Sequence, residues 1–439
     1  MTTSSSLKEN LENALDVKAT RQLTVKAMKS DHSNSYLYDR DPKIHHHILK
    51  IFRPELDKYG TDTWVDDYGN LIARVGENKT GKRVLVIQHA QEWGPTEEEE
   101  KTLSTIHEPG DVVPVEKLGI AGFDPAKHHV HGEVVWGRGG CEATGGCVAA
   151  VEAVRMLARS GVKVPGQAIF VITAGGHSAA SDNIFHLLIN DEIKADMAIH
   201  QGIRGMANQA EQTIATSGGG RIDLRLTVLG RVSHSSNYSP GFNAVDGALT
   251  ALERLKKIMP IPNDKVDPQT GQKTRLTNIG IESFPKPPGH LTGTGSAGHT
   301  LQGSVRILLD RRILPSENVD DAIGEIRSAV GDLSPFPYRV ERGAFHFPWH
   351  VPRNSQVAAA VSQSVTAMTG SAPDLVHVTA AWDMGAVNKL GIPCVMYGTS
   401  GPMVVDPPIG PHCENDFATL DWIYDAAKVY AHFAVSATE

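Results

Sequence analysis

Three histidines each follow a run of apolar residues. His89 ends VLVIQH, His177 follows QAIFVITAGG, and His200 ends ADMAIH. Apolar, β-branched runs of this length read as buried strands. A histidine at such a strand end puts an imidazole at the carboxyl edge of a sheet, where open α/β sheets bind their ligands. Neutral imidazole is also the commonest metal-binding side chain. Glu142 follows Gly139-Gly140-Cys141, small residues that allow close approach of the backbone to an ion. Its plain alternative is a carboxylate favoured at the N-terminus of the helix that follows. His412 lies in the loop PPIGPHCEND. Four imidazoles and one carboxylate suit a borderline divalent ion such as Zn or Mn. The five residues are far apart in sequence and form no compact motif such as HExxH. All five as ligands, or a subset with the others orienting water or taking a proton, are both open. His234, in GRVSHSSNYSPG, reads either as a polar loop residue or as a group that stabilises developing negative charge. Cys141 and Cys413 read as packing residues rather than nucleophiles.

These side chains need a frame. Residues 8–55 show helical spacing, and WVDDYGNLIAR (64–74) reads as a hairpin. Strands and helices then alternate through residue 201, the pattern of an α/β, mainly parallel, doubly wound sheet. In such a sheet the strands' carboxyl ends share one edge, which brings His89, His177 and His200 toward a common place. Ser217-Gly218-Gly219-Gly220 reads as a hinge; it lacks the Lys of a phosphate loop. Beyond it, alternating strands and two helices follow the order β-α-β-β-α-β, a ferredoxin-like α+β signature. The expected organisation is a first domain of residues 1–216 and 343–439, interrupted by an inserted domain of residues 217–342.

A chain of 439 residues is long enough for two cores, and 40% hydrophobic with 21% charged residues is ordinary globular composition. A net charge of −8 argues against nucleic acid and anionic membranes as partners. No apolar run reaches the length of a membrane span, and the N-terminus has no secretory h-region. Four cysteines without regular spacing make no disulfide framework, so a reducing cytoplasm is expected.

From about residue 60 onward the chain resembles the M20 family of metallopeptidases and amidohydrolases. His89-Ala90-Gln91 matches the family's HxD strand end. Gly137-Arg138-Gly139 followed by Glu142 and Thr144-Gly145 matches its GRG element with a metal-bridging acid. Gly176-His177 stands where the family has a Glu-Glu pair. His200 and His412 match later ligands, with Asp416 at an acidic position, and Asp383 resembles the TDA element. His234 matches the GxxxH motif of the family's lid and dimerisation domain. Asp310-Arg311-Arg312, with Pro315 and Glu317, resembles the lid's DxR…P…E pattern. The resemblance implies a catalytic metal-binding domain, a lid/dimerisation domain over residues 217–342, a homodimer and a small-molecule substrate.

The departures bear on function. Gly176 replaces the family's general base, Gln91 an orienting Asp, and His177 a carboxylate ligand; His299 stands where an Asn often lines the site. Loss of a general acid–base typically costs ~10²–10⁴ in rate. Fewer carboxylates also neutralise less charge, so one divalent ion is expected, Mn or Zn with Mn favoured. The leading expectation is therefore hydrolysis of a non-peptide C–N bond: deamination of an electron-poor aromatic amine, 5-nitroanthranilate to 5-nitrosalicylate and ammonia, by metal-activated water. His234 and His299 would stabilise the adduct, and Arg342 would hold a substrate carboxylate or serve only as a lid surface charge. The alternatives are an aminoacylase or dipeptidase cleaving an amide, and a non-catalytic dimeric binding protein.

Overall fold

The computed structural model describes residues 4–30, 41–59, 62–92, 101–176, 181–191, 193–205, 209–234, 236, 241–258, 271, 276–281, 301–378 and 380–439. The chain forms two compact units. One comprises Met1–Ser217, Val351–Val376 and Trp382–Glu439; the other comprises Gly218–His350 and His377–Ala381.

The N-terminal helical region begins with α1 (Ser4–Ala14) and α2 (Val17–Met28). Asp16 separates them by accepting the Ala19 N–H, a side-chain cap that starts a new helix. α3 (Pro42–His47) and α4 (Arg53–Asp57) follow. The hairpin is β1 (Asp62–Val65) and β2 (Leu71–Val75). Its turn is held by Asp66, whose Oδ1 accepts the N–H groups of Tyr68, Gly69 and Asn70 at 3.0, 2.8 and 2.8 Å. Next come β3 (Arg83–His89), β4 (Val112–Pro114), β5 (Glu133–Trp136), α5 (Gly145–Ser160), β6 (Gln167–Thr173), α6 (Asp182–Phe185), β7 (Met197–His200) and β8 (Thr213–Gly218).

The second unit contributes β9 (Gly220–Leu229), α7 (Ala244–Lys256), β10 (Leu276–Ile281), β11 (Ser304–Ile313), α8 (Val319–Val330), β12 (Tyr338–His346) and β13 (Trp349–His350). The chain closes with α9 (Gln356–Thr369), β14 (Asp374–Val378), α10 (Met384–Lys389), β15 (Cys394–Met396), β16 (Phe417–Thr419) and α11 (Leu420–Ser436).

In the first unit the large sheet runs β1-β2-β6-β3-β7-β15-β8. Its centre, β6-β3-β7-β15, is parallel. Its margins are antiparallel: β1 returns on β2 as a short hairpin, β2 pairs with β6, and β8 pairs with β15. The sheet is thus mixed, with the doubly wound pattern confined to the strands that carry the site. Val84 to Ile87 of β3 are no more than 1% exposed, as expected of a strand covered on both faces. Each such side chain contributes roughly 1.5–3 kcal/mol of burial. α5 and α11 pack on each other beside this core. β5 leaves the large sheet and pairs antiparallel with β4 and β16 in a small sheet of its own.

The second unit has sheet order β10-β11-β9-β12, all antiparallel, in the β-α-β-β-α-β sequence of a ferredoxin-like layer. Alternate residues Ile222, Leu224, Leu226, Ile307 and Leu309 face its core, which α7 and α8 complete. Ser217 to Gly220 is not a loop: β8 and β9 are separated by Gly219 alone. No helix among the described residues is long and apolar enough to cross a membrane.

Candidate metal centre

Parallel pairing sets the positions of the strand-end imidazoles. His89 pairs with Thr173 at the end of β6, and His200 of β7 pairs with Ile87 of β3 and Met396 of β15. Both histidines are buried, at 2% and 1% exposure. His200 Nδ1 lies 3.2 Å from the Gln201 carbonyl oxygen. A carbonyl only accepts, so Nδ1 carries the proton and Nε2 keeps its lone pair for a ligand. The His200 ring stacks on Trp382, which fixes its plane.

Glu142 reaches the same place by a different route. β5 and β16 pair so that Phe417 lies opposite Trp136. The residues just beyond this pair, Gly137 to Glu142 and Asp416, therefore meet. Gly137 N–H donates to the Asp416 carbonyl at 3.0 Å. The N–H groups of Gly139 and Cys141 donate to the two Asp416 carboxylate oxygens at 2.7 Å each. Gly139 takes φ +82°, a left-handed conformation that glycine adopts without steric cost. The clamped loop presents Glu142, 3% exposed, just ahead of α5. Glu142 Oε1 stands 3.3 Å from His89 Nε2.

That separation is informative. A charge-assisted N–H···O hydrogen bond is ~2.7–2.9 Å long. Two donors on one tetrahedral ion at ~2.1 Å are instead about 3.4 Å apart. Glu142 Oε1 and His200 Nε2 are buried and make no hydrogen bond among the described residues. Desolvation by burial pushes His89 down to about 4 and His200 down to about 3, with His89 a further cause for the latter. Both are neutral at pH 7 with lone pairs available, as metal ligation requires.

His412 completes the group from its loop. It adopts φ +60°, an uncommon conformation for a non-glycine residue that often marks functional loops. Desolvation lowers its proton affinity most, followed by Glu142, which raises it, and His89, which lowers it. Of its side chain, 38% is exposed. Its Nδ1 stands 3.8 Å from Oε1 of Glu92, a residue sequence reasoning passed over. Glu92 is fully buried, three positions beyond His89. An acid that close behind a strand-end ligand is the signal that was available.

The structure thus gathers His89, Glu142, His200 and His412 in the first unit. His177 and His299 lie outside the described residues. His234 and Arg342 belong to the second unit, and both are exposed. The Ser236 N–H donates to His234 Nδ1 at 3.2 Å, which places the neutral ring's proton on Nε2. The Arg342 guanidinium lies 5.9 Å over the Phe345 ring. Gly176, described at the end of β6, has no room for a side chain. A Cβ there would sit 2.8 Å from His89 Cγ.

The one group among the described residues that puts three ligand-type atoms within 4.8 Å of one another is a different one: Asp66, His186 and Asp191. It is half-buried, and Asp66 is already engaged by the β1–β2 turn.

A divalent ion fits the first group: two ligand atoms are buried without hydrogen bonds, the imidazoles are neutral, and a carboxylate supplies charge. His89, Glu142, His200 and His412 would hold it, and when bound it would polarise a substrate and lower the pKa of water.

Comparison with known proteins agrees. The chain overlays a tripeptidase from Staphylococcus aureus with a TM-score of 0.65 at 15% identity, covering 97% of this chain and 99% of that one. It overlays human carnosine dipeptidase 1 with a TM-score of 0.66 at 14% identity, covering 99% and 98%. It overlays the di-peptidase Dug1p from Saccharomyces cerevisiae with a TM-score of 0.68 at 13% identity, covering 100% and 99%. At such identities the likeness is one of fold. No curated protein sequence matches this one. The sequence profile described as peptidase family M20/M25/M40 matches residues 110–436, most of the chain, and on that match the protein belongs to this family of metal-dependent hydrolases.

Proposed function

We propose that the protein hydrolyses an amide C–N bond of a small molecule, in the manner of an M20 aminoacylase or dipeptidase, with one divalent ion, Mn favoured over Zn. The observation that carries this reading is the convergence of His89, Glu142, His200 and His412 at the end of parallel strands in a chain matching the M20 profile. The tripeptidase and dipeptidase activities named for its structural neighbours support the substrate class. When bound, the ion would activate water. His89 and His200 hold neutral nitrogens toward it, and Asp416 holds the loop that aims Glu142. In the second unit, His234 Nε2–H is a donor for developing negative charge, with His299 in the same role, and Arg342 pairs with a substrate carboxylate.

One observation favours a second reading. The family's proton-transferring Glu is absent at Gly176, and His89 closes the space a side chain there would need. An electrophile that demands less proton assistance suits such a site, and an electron-poor aromatic amine such as 5-nitroanthranilate is one. The test is a panel of N-acyl-amino acids, dipeptides and 5-nitroanthranilate assayed with added Mn²⁺. Amino acid release without ammonia from the aryl amine supports the amide reading. Ammonia with 5-nitrosalicylate supports the second. Neither product, from protein that retains Mn²⁺, leaves a binding protein.

We also propose a homodimer through residues 217–342, supported by the exposed Leu249 on α7 and Leu308 on β11. Light scattering at the dimer mass would agree. A cytoplasmic setting is supported by the four free cysteines.

A further inference from the structure

We infer that Glu92 is a metal ligand of this centre, the second carboxylate that the sequence pattern lacks at position 177. The inference rests on the metal reading above.

Three observations converge. Glu92 is fully buried beside the site, on the loop that leaves β3 directly after His89. Its Oε1 is 3.8 Å from His412 Nδ1, just as Glu142 Oε1 is 3.3 Å from His89 Nε2. Both acid–imidazole pairs are longer than a hydrogen bond, and both lie near the ~3.4 Å that separates donors sharing one tetrahedral ion. Each pair by itself stands close to the spacing of two donors on one ion.

Charge points the same way. Neutral imidazoles contribute none. Glu142 and Glu92 together carry two negative charges, which balance one dication, whereas Glu142 alone would leave the buried centre with an excess positive charge. The position where M20 proteins carry a carboxylate ligand is His177 here. Glu92, three residues beyond His89, would return that charge. A centre so balanced has charge for one ion rather than two.

The test is Mn²⁺ titration of metal-stripped protein, read by the electron paramagnetic resonance of free Mn²⁺, with thermal melts in EDTA as the folding check. Glu92→Gln keeps the shape and removes the charge. Its Mn²⁺ affinity is expected to fall by about 100-fold or more, past the range that outer contacts cost. Glu92→His, which restores a ligand atom, is expected to recover part of the loss. Glu142→Gln is the control for the centre itself. If Glu142→Gln loses Mn²⁺ while Glu92→Gln binds it like the wild type, Glu92 is no ligand and the inference falls, even if turnover is lost. If neither variant loses Mn²⁺, the metal reading itself falls. If Glu92→Gln melts early in EDTA, Glu92→His decides: a folded variant with no Mn²⁺ recovery also overturns the assignment.

Discussion

Among its described residues the first unit contains two groups of metal-type side chains, and they differ in what holds them. In one, His89 and His200 sit at the ends of parallel strands, and Glu142 hangs on a loop clamped by Asp416. In the other, Asp66, His186 and Asp191 lie close together and half-buried, but Asp66 spends one oxygen on three backbone N–H groups of its own turn. Asn70 Nδ2 donates to its other oxygen at 2.7 Å. The outer trio is the tighter cluster, and His186 Nε2 and Asp191 Oδ2 are also buried there without hydrogen bonds. Its weaker claim on an ion rests on Asp66 alone, whose two oxygens are already taken by its own turn.

The sharpest way to break this comparison is to remove one ligand from each group. His89→Ala is expected to lower metal affinity by more than about 100-fold and reduce hydrolysis to background, because loss of a direct ligand exceeds the 10–100-fold of outer contacts. His186→Ala is expected to leave metal content unchanged. Elemental analysis of both proteins checks the pair, and metal loss from the His186 variant would make the outer trio a genuine site. A smaller effect is expected from Asp416→Asn. It leaves Glu142 in place but weakens the clamp on the Gly139 and Cys141 N–H groups, so affinity should fall about 10–100-fold with the fold retained.

Much of the inner group was legible in the sequence because strand-end ligands follow short apolar runs. VLVIQH and ADMAIH each announce a buried strand and its last residue, and parallel pairing then does the converging. The lid's β-α-β-β-α-β order was readable for the same reason, from alternation of apolar residues on β9 and β11. Asp416's clamp was not readable, since it depends on β5 leaving the main sheet to pair with β16. Glu92 sits on a loop without periodicity, so its nearness to His89 in sequence is the one cue, and its approach to His412 from the far end of the chain is a tertiary feature. The hairpin of β1 and β2 was legible, but the antiparallel pairings of β2 on β6 and β8 on β15 join distant segments that local spacing does not encode.

Gly176 tests how tightly the inner group is packed. Gly176→Ala places a methyl 2.8 Å from His89 Cγ and 2.9 Å from its Cβ and Cδ2. Overpacking of that kind costs roughly 1–3 kcal/mol. The expected result is a lower melting temperature together with weaker metal binding, because the ring that must move is a ligand. Weaker stability with unchanged metal affinity would show that His89 can shift without leaving the centre.

The smallest expected effect separates the two groups by the sign of their pH response. His89 and His200 have folded values of about 4 and about 3, below the ordinary 6.5. The unfolded chain therefore binds more protons between roughly pH 4 and 6.5. Metal-free protein should lose stability from this source as pH falls through that window. Asp191 behaves oppositely. Burial first, and Asp66 second, raise its carboxyl from 3.8 to about 6. Here the folded state binds more protons between about pH 4 and 6, so stability is lost as pH rises through that range and the penalty is complete above it. Asp191→Asn removes the penalty without touching the inner histidines. The variant should melt higher than the wild type at pH 8, and the difference should vanish near pH 4. A variant that instead melts lower than the wild type at pH 8 would mean that a cation holds Asp191 as a carboxylate, and the outer trio would then share the character of the inner one.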